Sequence, residues 1–181
     1  MIMSSFVIRP ASIEDIPVII EVRLRTLSNK ELSGFSVPDA NLYWSNEKFK
    51  KLWDKENRLK DNSEVFVAEK NGKIVGFIIF NMEISDDNID NIIVEKEMQG
   101  KGIGRSLVEY VEKLAISRGL KIITTDTTEN SNGVAWKAYG FWRKMGYQDT
   151  KKRLSTNYDF KVIPLVKKLN TINADNPSQV N

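Results

Sequence analysis

The sequence contains neither cysteine nor histidine among its 181 residues. Without cysteine, the chain forms no disulfide, holds no thiolate-bound metal and has no cysteine nucleophile. Without histidine, it lacks the side chain that most often transfers protons near neutral pH, so Asp, Glu, Tyr, Lys or water must do so. A zinc site made of carboxylates alone would be unusual, and we therefore expect no metal cofactor.

Long apolar runs are also missing, since no segment approaches the ~20 apolar residues of a membrane helix. The opening MIMSSFVIRPA lacks the basic start and the apolar stretch of a signal peptide, so a cytoplasmic protein without a membrane partner is expected. The net charge is only +3 and the lysines are spread along the chain. That pattern favours a solvated surface over dedicated nucleic-acid binding.

The spacing of apolar residues predicts a mixed α/β domain. Its expected order is strand, two helices, three strands, helix, strand, helix and two strands, with the second helix over residues 46–60. Asn71–Gly72 joins two β-rich runs and predicts a hairpin turn. Pro164 interrupts the last strand, which predicts an edge position. We expect a single domain over residues 1–169 and a disordered polar tail over residues 170–181.

The segment QGKGIGR, residues 99–105, places three alternating glycines between a predicted strand and a strongly helical run. Glycine at a helix start costs ~0.5–1 kcal/mol relative to alanine, so the backbone itself is expected to have a role here. First-turn amides and the helix dipole bind anions, and Lys101 and Arg105 add positive charge. The spacing fits neither the Walker A motif nor the dinucleotide fingerprint. The segment predicts a phosphate cradle of another kind.

The same segment matches the [QR]-x-x-G-x-[GA] signature of the GNAT superfamily of acyl-CoA-dependent N-acyltransferases. The preceding IIVEKEM resembles the L-x-V-x-P-E-Y strand of that family, with Lys96 in place of the usual proline. FVIRPASIEDI, VFVAEKNGKIVGFI and AYGFWRKMGY are similar to its first strand, its hairpin and its late helix. The resemblance runs from about Phe6 to Leu169. It implies a GNAT-like α/β fold whose mostly antiparallel central sheet is splayed at the cofactor site and flanked by helices.

The resemblance also implies a binding site for acetyl-CoA. The pyrophosphate is expected on the backbone amides of the glycine loop, and the pantetheine arm is expected to pair with the strand before it. The implied cofactor-binding residues are Ile92, Ile93, Val94, Gln99, Gly100, Lys101, Gly102, Ile103, Gly104 and Arg105.

The function implied by the resemblance is N-acetyl transfer from acetyl-CoA to a primary amine by direct attack. The acceptor is a protein or peptide amino group or a small amine such as a polyamine. The alternative is a non-catalytic CoA-binding sensor or assembly module that kept the cradle. Many relatives dimerise, so a homodimer is a further possibility.

The catalytic groups are less well defined. The family's usual acid is a tyrosine, and the matching position here is Trp142, whose indole is too weak an acid to protonate a thiolate. Tyr139 lies one helical turn earlier and is the candidate replacement, unless the thiolate leaves unassisted or takes a proton from water. For the base, strand ends offer Glu83, Asp126 and Asp90.

The least regular segments are expected to wall the acceptor cleft. They supply aromatic and acidic side chains that suit a cationic amine, although aromatics there equally complete a core. These residues are Phe35, Tyr43, Trp44, Tyr158, Glu31, Asp39 and Asp159.

Overall fold

The structure is a computed structural model that describes residues 6–27, 63–83, 88–156 and 160–169. Within these ranges there are eight strands and three α-helices. The strands are β1 (Val7–Pro10), β2 (Glu64–Lys70), β3 (Lys73–Phe80), β4 (Ile89–Val94), β5 (Ile122–Asn130), β6 (Gln148–Asp149), β7 (Leu154–Ser155) and β8 (Phe160–Lys168). The helices are α1 (Ile16–Leu27), α2 (Ile103–Ser117) and α3 (Lys137–Lys144).

The strands form one mixed sheet in the order β1-β2-β3-β4-β5-β8-β6, with β7 also paired to β8. Every pairing is antiparallel except that between β4 and β5, which is parallel. This confirms the predicted mixed α/β fold with a mostly antiparallel sheet. The predicted helix over residues 46–60 and the predicted tail lie outside the described residues.

Several turns follow from local sequence chemistry. Asn71 and Gly72 both have positive φ, 50° and 73°, as a type I′ hairpin turn between β2 and β3 requires. Gly119 and Gly146, with φ of 88° each, end α2 and α3 in the left-handed conformation typical of a helix C-terminus. The predicted hairpin is therefore confirmed, and each of these two helices ends at a glycine.

Two apolar clusters pack on opposite faces of the sheet. On one face, α1 covers side chains of β2, β3 and β4, with Ile16, Ile19 and Phe77 fully buried. On the other face, α2 and α3 cover side chains of β2 to β5 and β8, with Leu107 and Trp142 buried. The apolar side of α2 thus packs into the core. Within the described ranges no helix is long and apolar enough to cross a membrane.

The expected edge position of the last strand is wrong. β8 lies between β5 and the short strands β6 and β7. The backbone of Pro164 faces away from β5, because its carbonyl accepts from Thr150 N at 3.2 Å. The nitrogen of a strand residue faces the same side as its carbonyl, so the missing N–H points at the break between β6 and β7.

Candidate active site

The parallel pair of β4 and β5 is held by a single bridge, between Ile89 and Thr125. Beyond it, β4 continues to Val94 and β5 to Asn130 without further pairing to each other in the described structure. Near its end, β5 instead pairs with the returning chain, where Trp136 N donates to Thr128 O at 3.1 Å. The two strands therefore enclose a gap that is closed at one end by the bridge.

One edge of β4 faces this gap. Glu95 N donates to Val75 O at 2.9 Å, and antiparallel ladders use alternate residues, so Ile93 also directs its backbone to β3. The backbone groups of Ile92 and Val94 consequently point toward β5. Among the three residues predicted to pair with pantetheine, the geometry places Ile92 and Val94 on the gap and turns Ile93 away from it.

The glycine loop joins β4 to α2 with two residues in a left-handed conformation. Gly100 and Gly102 have φ of 74° and 85°, and a Cβ added at either position meets nothing within 4 Å. Gly102 is the N-cap of α2, and no side chain caps that helix end. The first-turn amides therefore have no side-chain cap, which is the arrangement an anion site requires.

Gly104 has a different environment. A Cβ there would lie 3.5 Å from the Phe141 ring and 3.7 Å from Val94 Cγ2, and its φ is not positive. This glycine belongs to the helix and brings α2 close to α3 and β4. Only two of the three glycines therefore shape the loop backbone.

The polar side chains of the loop are held loosely. Gln99 Nε2 donates to Val94 O at 2.9 Å, which ties the loop to the end of β4. Arg105 Nε pairs with Glu109 Oε1 at 2.8 Å, and the arginine side chain is 71% exposed. An exposed i,i+4 pair contributes little to stability, so Arg105 can exchange it for a phosphate. Lys101 is exposed, with its Nζ 3.9 Å from Met98 Sδ.

Two of the predicted bases lie one residue beyond the bridge. Asp126 follows Thr125 on β5, and Asp90 follows Ile89 on β4 as the extra residue of a β-bulge opposite Ile79 and Phe80. Strand register places both on the α1 face of the sheet. Burial lowers the pKa of Arg23 on α1 to about 10, and the charge of nearby Asp90 opposes this shift.

Glu83 occupies a different position. It is exposed and lies three residues after β3 ends at Phe80, where its N–H donates to Asn81 Oδ1 at 2.8 Å. Because β3 and β4 are antiparallel, Glu83 lies beyond the start of β4, on the far side of the bridge from the gap. The structure thus brings Asp90 and Asp126 to one edge without Glu83.

Comparison with known proteins agrees with this geometry. Residues 61–149 match a family model described as an acetyltransferase (GNAT) domain. The chain is 25% identical to a GCN5-related N-acetyltransferase of Rhodopseudomonas palustris, with a TM-score of 0.70 over 93% of this chain and 99% of that structure. Residues 61–149 thus carry the sequence of a GNAT acetyltransferase domain.

Two further proteins extend the comparison. An uncharacterized N-acetyltransferase of Methanocaldococcus jannaschii is 28% identical over 59% of this chain and 49% of its own length. The PaiA N-acetyltransferase of Thermoplasma acidophilum, solved in complex with coenzyme A, is 20% identical with a TM-score of 0.70 over 91% of this chain and 99% of that structure. The chain spans about half the length of the curated relatives it matches.

In this GNAT domain the position that aligns with the family's acid belongs to the core. Trp142 is 3% exposed, and its ring lies 4.9 Å from that of Tyr147 and 5.1 Å from that of Phe141. Tyr139 is half-buried, and its hydroxyl donates to Asp149 Oδ2 on β6 at 3.1 Å. Phe141, which faces Gly104, lies about 200° around α3 from Tyr139. The Tyr139 hydroxyl therefore points toward β6, on the side of α3 away from the loop.

Asp149 belongs to a polar network that sequence analysis missed. Arg153 donates to both Asp149 oxygens, at 3.1 and 3.0 Å, and to Glu129 Oε2 at 2.9 Å. The hydrogen bonds from Arg153 lower the pKa of Asp149 to about 2. Only the fold brings these residues of β5, β6 and the following turn together. The predicted acceptor-cleft residues in segments 31–44 and 158–159 lie outside the described structure.

We predict that Gly102→Ala and Gly104→Ala have different effects on stability. Alanine at φ 85° is strained by about 1–2 kcal/mol, whereas alanine inside the helix at position 104 makes ordinary contacts and gains helix propensity. Urea unfolding should show a loss of about 1–2 kcal/mol for Gly102→Ala and a change within about 1 kcal/mol for Gly104→Ala. Equal losses would show that the loop conformation is not what selects glycine.

We also predict an acid-dependent contribution from Asp149. Its folded pKa lies below the ordinary value of 3.8, so its stabilising effect is complete above about pH 4 and is lost as pH falls to about 2. Asp149→Asn should unfold about 1–2 kcal/mol more easily at pH 5, and this difference should shrink by pH 2. The measurement is urea unfolding across that range. A difference that stays constant with pH would contradict the assignment.

Proposed function

We propose that this chain is an acetyl-CoA-dependent N-acetyltransferase that transfers an acetyl group to a primary amine by direct attack. The observation that carries the proposal is the gap between β4 and β5, which leads to a loop with uncapped first-turn amides. The match to a GNAT domain and the fold shared with a coenzyme A complex support it. The acceptor is a protein or peptide amino group or a small amine.

The residues present fit the cofactor. Positive φ at Gly100 and Gly102, with open space beyond both, leaves room for phosphate oxygens against the amides of Ile103 to Arg105. Lys101 and Arg105 would add charge at the rim. The backbone of Ile92 and Val94 faces the gap and would pair with the amide groups of pantetheine. Gln99 fixes the loop through the Val94 carbonyl and is proposed to act on the loop alone.

The chemistry requires an acceptor amine without its extra proton. Acetyl-CoA supplies a thioester carbonyl that a neutral amine attacks. An amine with a pKa near 10 is mostly protonated at neutral pH, so a base is required. We assign this role to Asp126, which is half-buried and lies beside the closed end of the gap. Asp90 is the weaker candidate because it is exposed and interacts with the Arg23 guanidinium on α1.

The release of the thiol is proposed to need no side-chain acid. Trp142 is buried in the core, and the Tyr139 hydroxyl is engaged by Asp149. A simple thiol has a pKa of ~8.5, so water is a sufficient proton source. We therefore propose that Tyr139 stabilises α3 against β6 instead of replacing the family's tyrosine.

The cradle is tested by Gly102→Glu, with Gly119→Glu as its control. Both glycines have positive φ and open space, so the two changes impose similar backbone strain, but Gly119 lies at the other end of α2, about 25 Å away. Calorimetric titration with acetyl-CoA, free CoA and ATP should show that Gly102→Glu weakens acetyl-CoA binding at least about 100-fold, because a carboxylate then occupies the anion site. Gly119→Glu should bind like the wild type.

The outcomes separate the two candidate functions. Unchanged acetyl-CoA affinity in Gly102→Glu would show that the glycine loop does not bind the phosphates. Wild-type protein that binds acetyl-CoA but releases no thiol across varied amines would favour the non-catalytic CoA-binding module.

The base is tested by Asp126→Asn, with Asp90→Asn as the matched change on the neighbouring strand. A general base typically contributes about 10²–10⁴-fold, so Asp126→Asn should lower kcat by at least about 100-fold while acetyl-CoA affinity stays unchanged. Asp90→Asn should lose much less. Thiol release, followed at several pH values, is the measurement. The assignment of Asp126 is wrong if Asp90→Asn shows the larger loss.

A further inference from the structure

A buried cluster of polar side chains lies where β4 and β5 begin to separate. Its centre is Asn88, which is 5% exposed and immediately precedes β4. Its Oδ1 accepts from Thr124 N and from Thr124 Oγ1, each at 3.0 Å, and its own N–H donates to Thr124 Oγ1 at 3.1 Å. Asn88 and Thr124 therefore form a clasp between the two strands.

The clasp is anchored to β3 as well. Asn88 Nδ2 donates to Asn81 O at 3.0 Å, and Asn81 N donates back to Asn88 O at 2.8 Å. Asn81 Nδ2 in turn donates to Ser63 Oγ at 3.1 Å. One asparagine thus joins the end of β3, the start of β4 and the first part of β5.

The position of the clasp determines where the gap closes. Thr124 N faces β4, and a side-chain oxygen satisfies it where a regular parallel ladder would offer a main-chain carbonyl. Thr125 Oγ1 adds a bond to Ile89 O at 2.9 Å. The ladder therefore comprises one bridge, Ile89 to Thr125, and the strands part directly beyond it.

We propose that Asn88 is a positioning residue for acetyl transfer, acting through Thr124 to fix the closed end of the gap and the placement of β5. This inference rests on the proposed function, because the closed end lies beside Asp126. A single bridge is a weak joint by itself, and a buried amide with several partners fixes a geometry that main-chain bonding leaves loose. Displacing β5 would move Asp126 relative to β4 without altering the glycine loop.

The test compares four variants. Asn88→Ala removes the clasp, and Thr124→Val removes only its hydroxyl while keeping size and shape. Thr124→Ser retains the hydroxyl and serves as the conservative control. Ser63→Ala breaks the same network at its far end, where Ser63 contacts Asn81 and not β5. For each variant, kcat, the KM for acetyl-CoA, the calorimetric Kd for free CoA and the thermal midpoint are measured at a temperature where all are folded.

A positioning role predicts a split between chemistry and binding. Misplacement of a reacting group by about 1 Å costs about 100-fold in rate, so kcat should fall about 10–100-fold in Asn88→Ala and several-fold in Thr124→Val. The Kd for free CoA should change less than about threefold, because the loop amides and not the clasp bind phosphate. Thr124→Ser and Ser63→Ala should keep the wild-type kcat.

Two results would overturn the proposal. One is equal kcat for Thr124→Val and Thr124→Ser, a comparison that remains informative even if Asn88→Ala fails to fold. The other is a loss of kcat that follows the thermal midpoint in every variant, Ser63→Ala included, which would mean a purely structural network.

Failure of the proposed function is recognised separately. If the wild-type protein transfers no acetyl group, that function fails, and the clasp is judged by amide hydrogen exchange of residues 88–94 and 122–128. Exchange there should be faster in Asn88→Ala than in Ser63→Ala. Equal exchange in the two variants would overturn the clasp itself.

Discussion

The single bridge between Ile89 and Thr125 is the constraint on which the rest of the site depends. Two neighbouring strands that part leave backbone donors and acceptors without a ladder partner, and such groups are costly unless something else satisfies them. Here Trp136 N donates to Thr128 O near the end of β5, and the Gln99 side chain donates to the Val94 carbonyl. What remains is a short stretch of β4 edge that a ligand with amide groups could complete.

Local sequence predicted those features that depend on backbone conformation. Asn71–Gly72 and Gly119 mark a turn and a helix end because few residues adopt positive φ without strain, and the structure has both there. The alternation of glycines after β4 likewise predicted a special loop. Gly104 shows the limit of that inference, because it lies inside α2 without positive φ, and a Cβ there would make only ordinary contacts with Phe141.

Long-range pairings could not be inferred from sequence. Pro164 suggested an edge strand, yet β8 pairs with β6 and β7 on one side and with β5 on the other. Proline is tolerated there because the break between β6 and β7 lies opposite its missing N–H. Asp149 and Arg153 are close in the chain, but their link to Glu129 and Tyr139 exists only after β6 packs beside β8. The hydrogen bonds between Asn88 and Thr124 could not be predicted either, since an isolated asparagine before a strand belongs to no motif of distinctive spacing. Such contacts are set by strand register, which no short motif encodes.

The two carboxylates beside the bridge illustrate why position in the fold decides chemistry. Asp90 and Asp126 are the same residue type and lie one step beyond the same bridge. Asp90 interacts with Arg23, a buried guanidinium that remains charged at neutral pH because its pKa falls only to about 10. The attraction is mutual, so Asp90 serves as a counter-charge for Arg23. Asp126 is half-buried, and its place at the closed end of the gap is what makes it the proposed base.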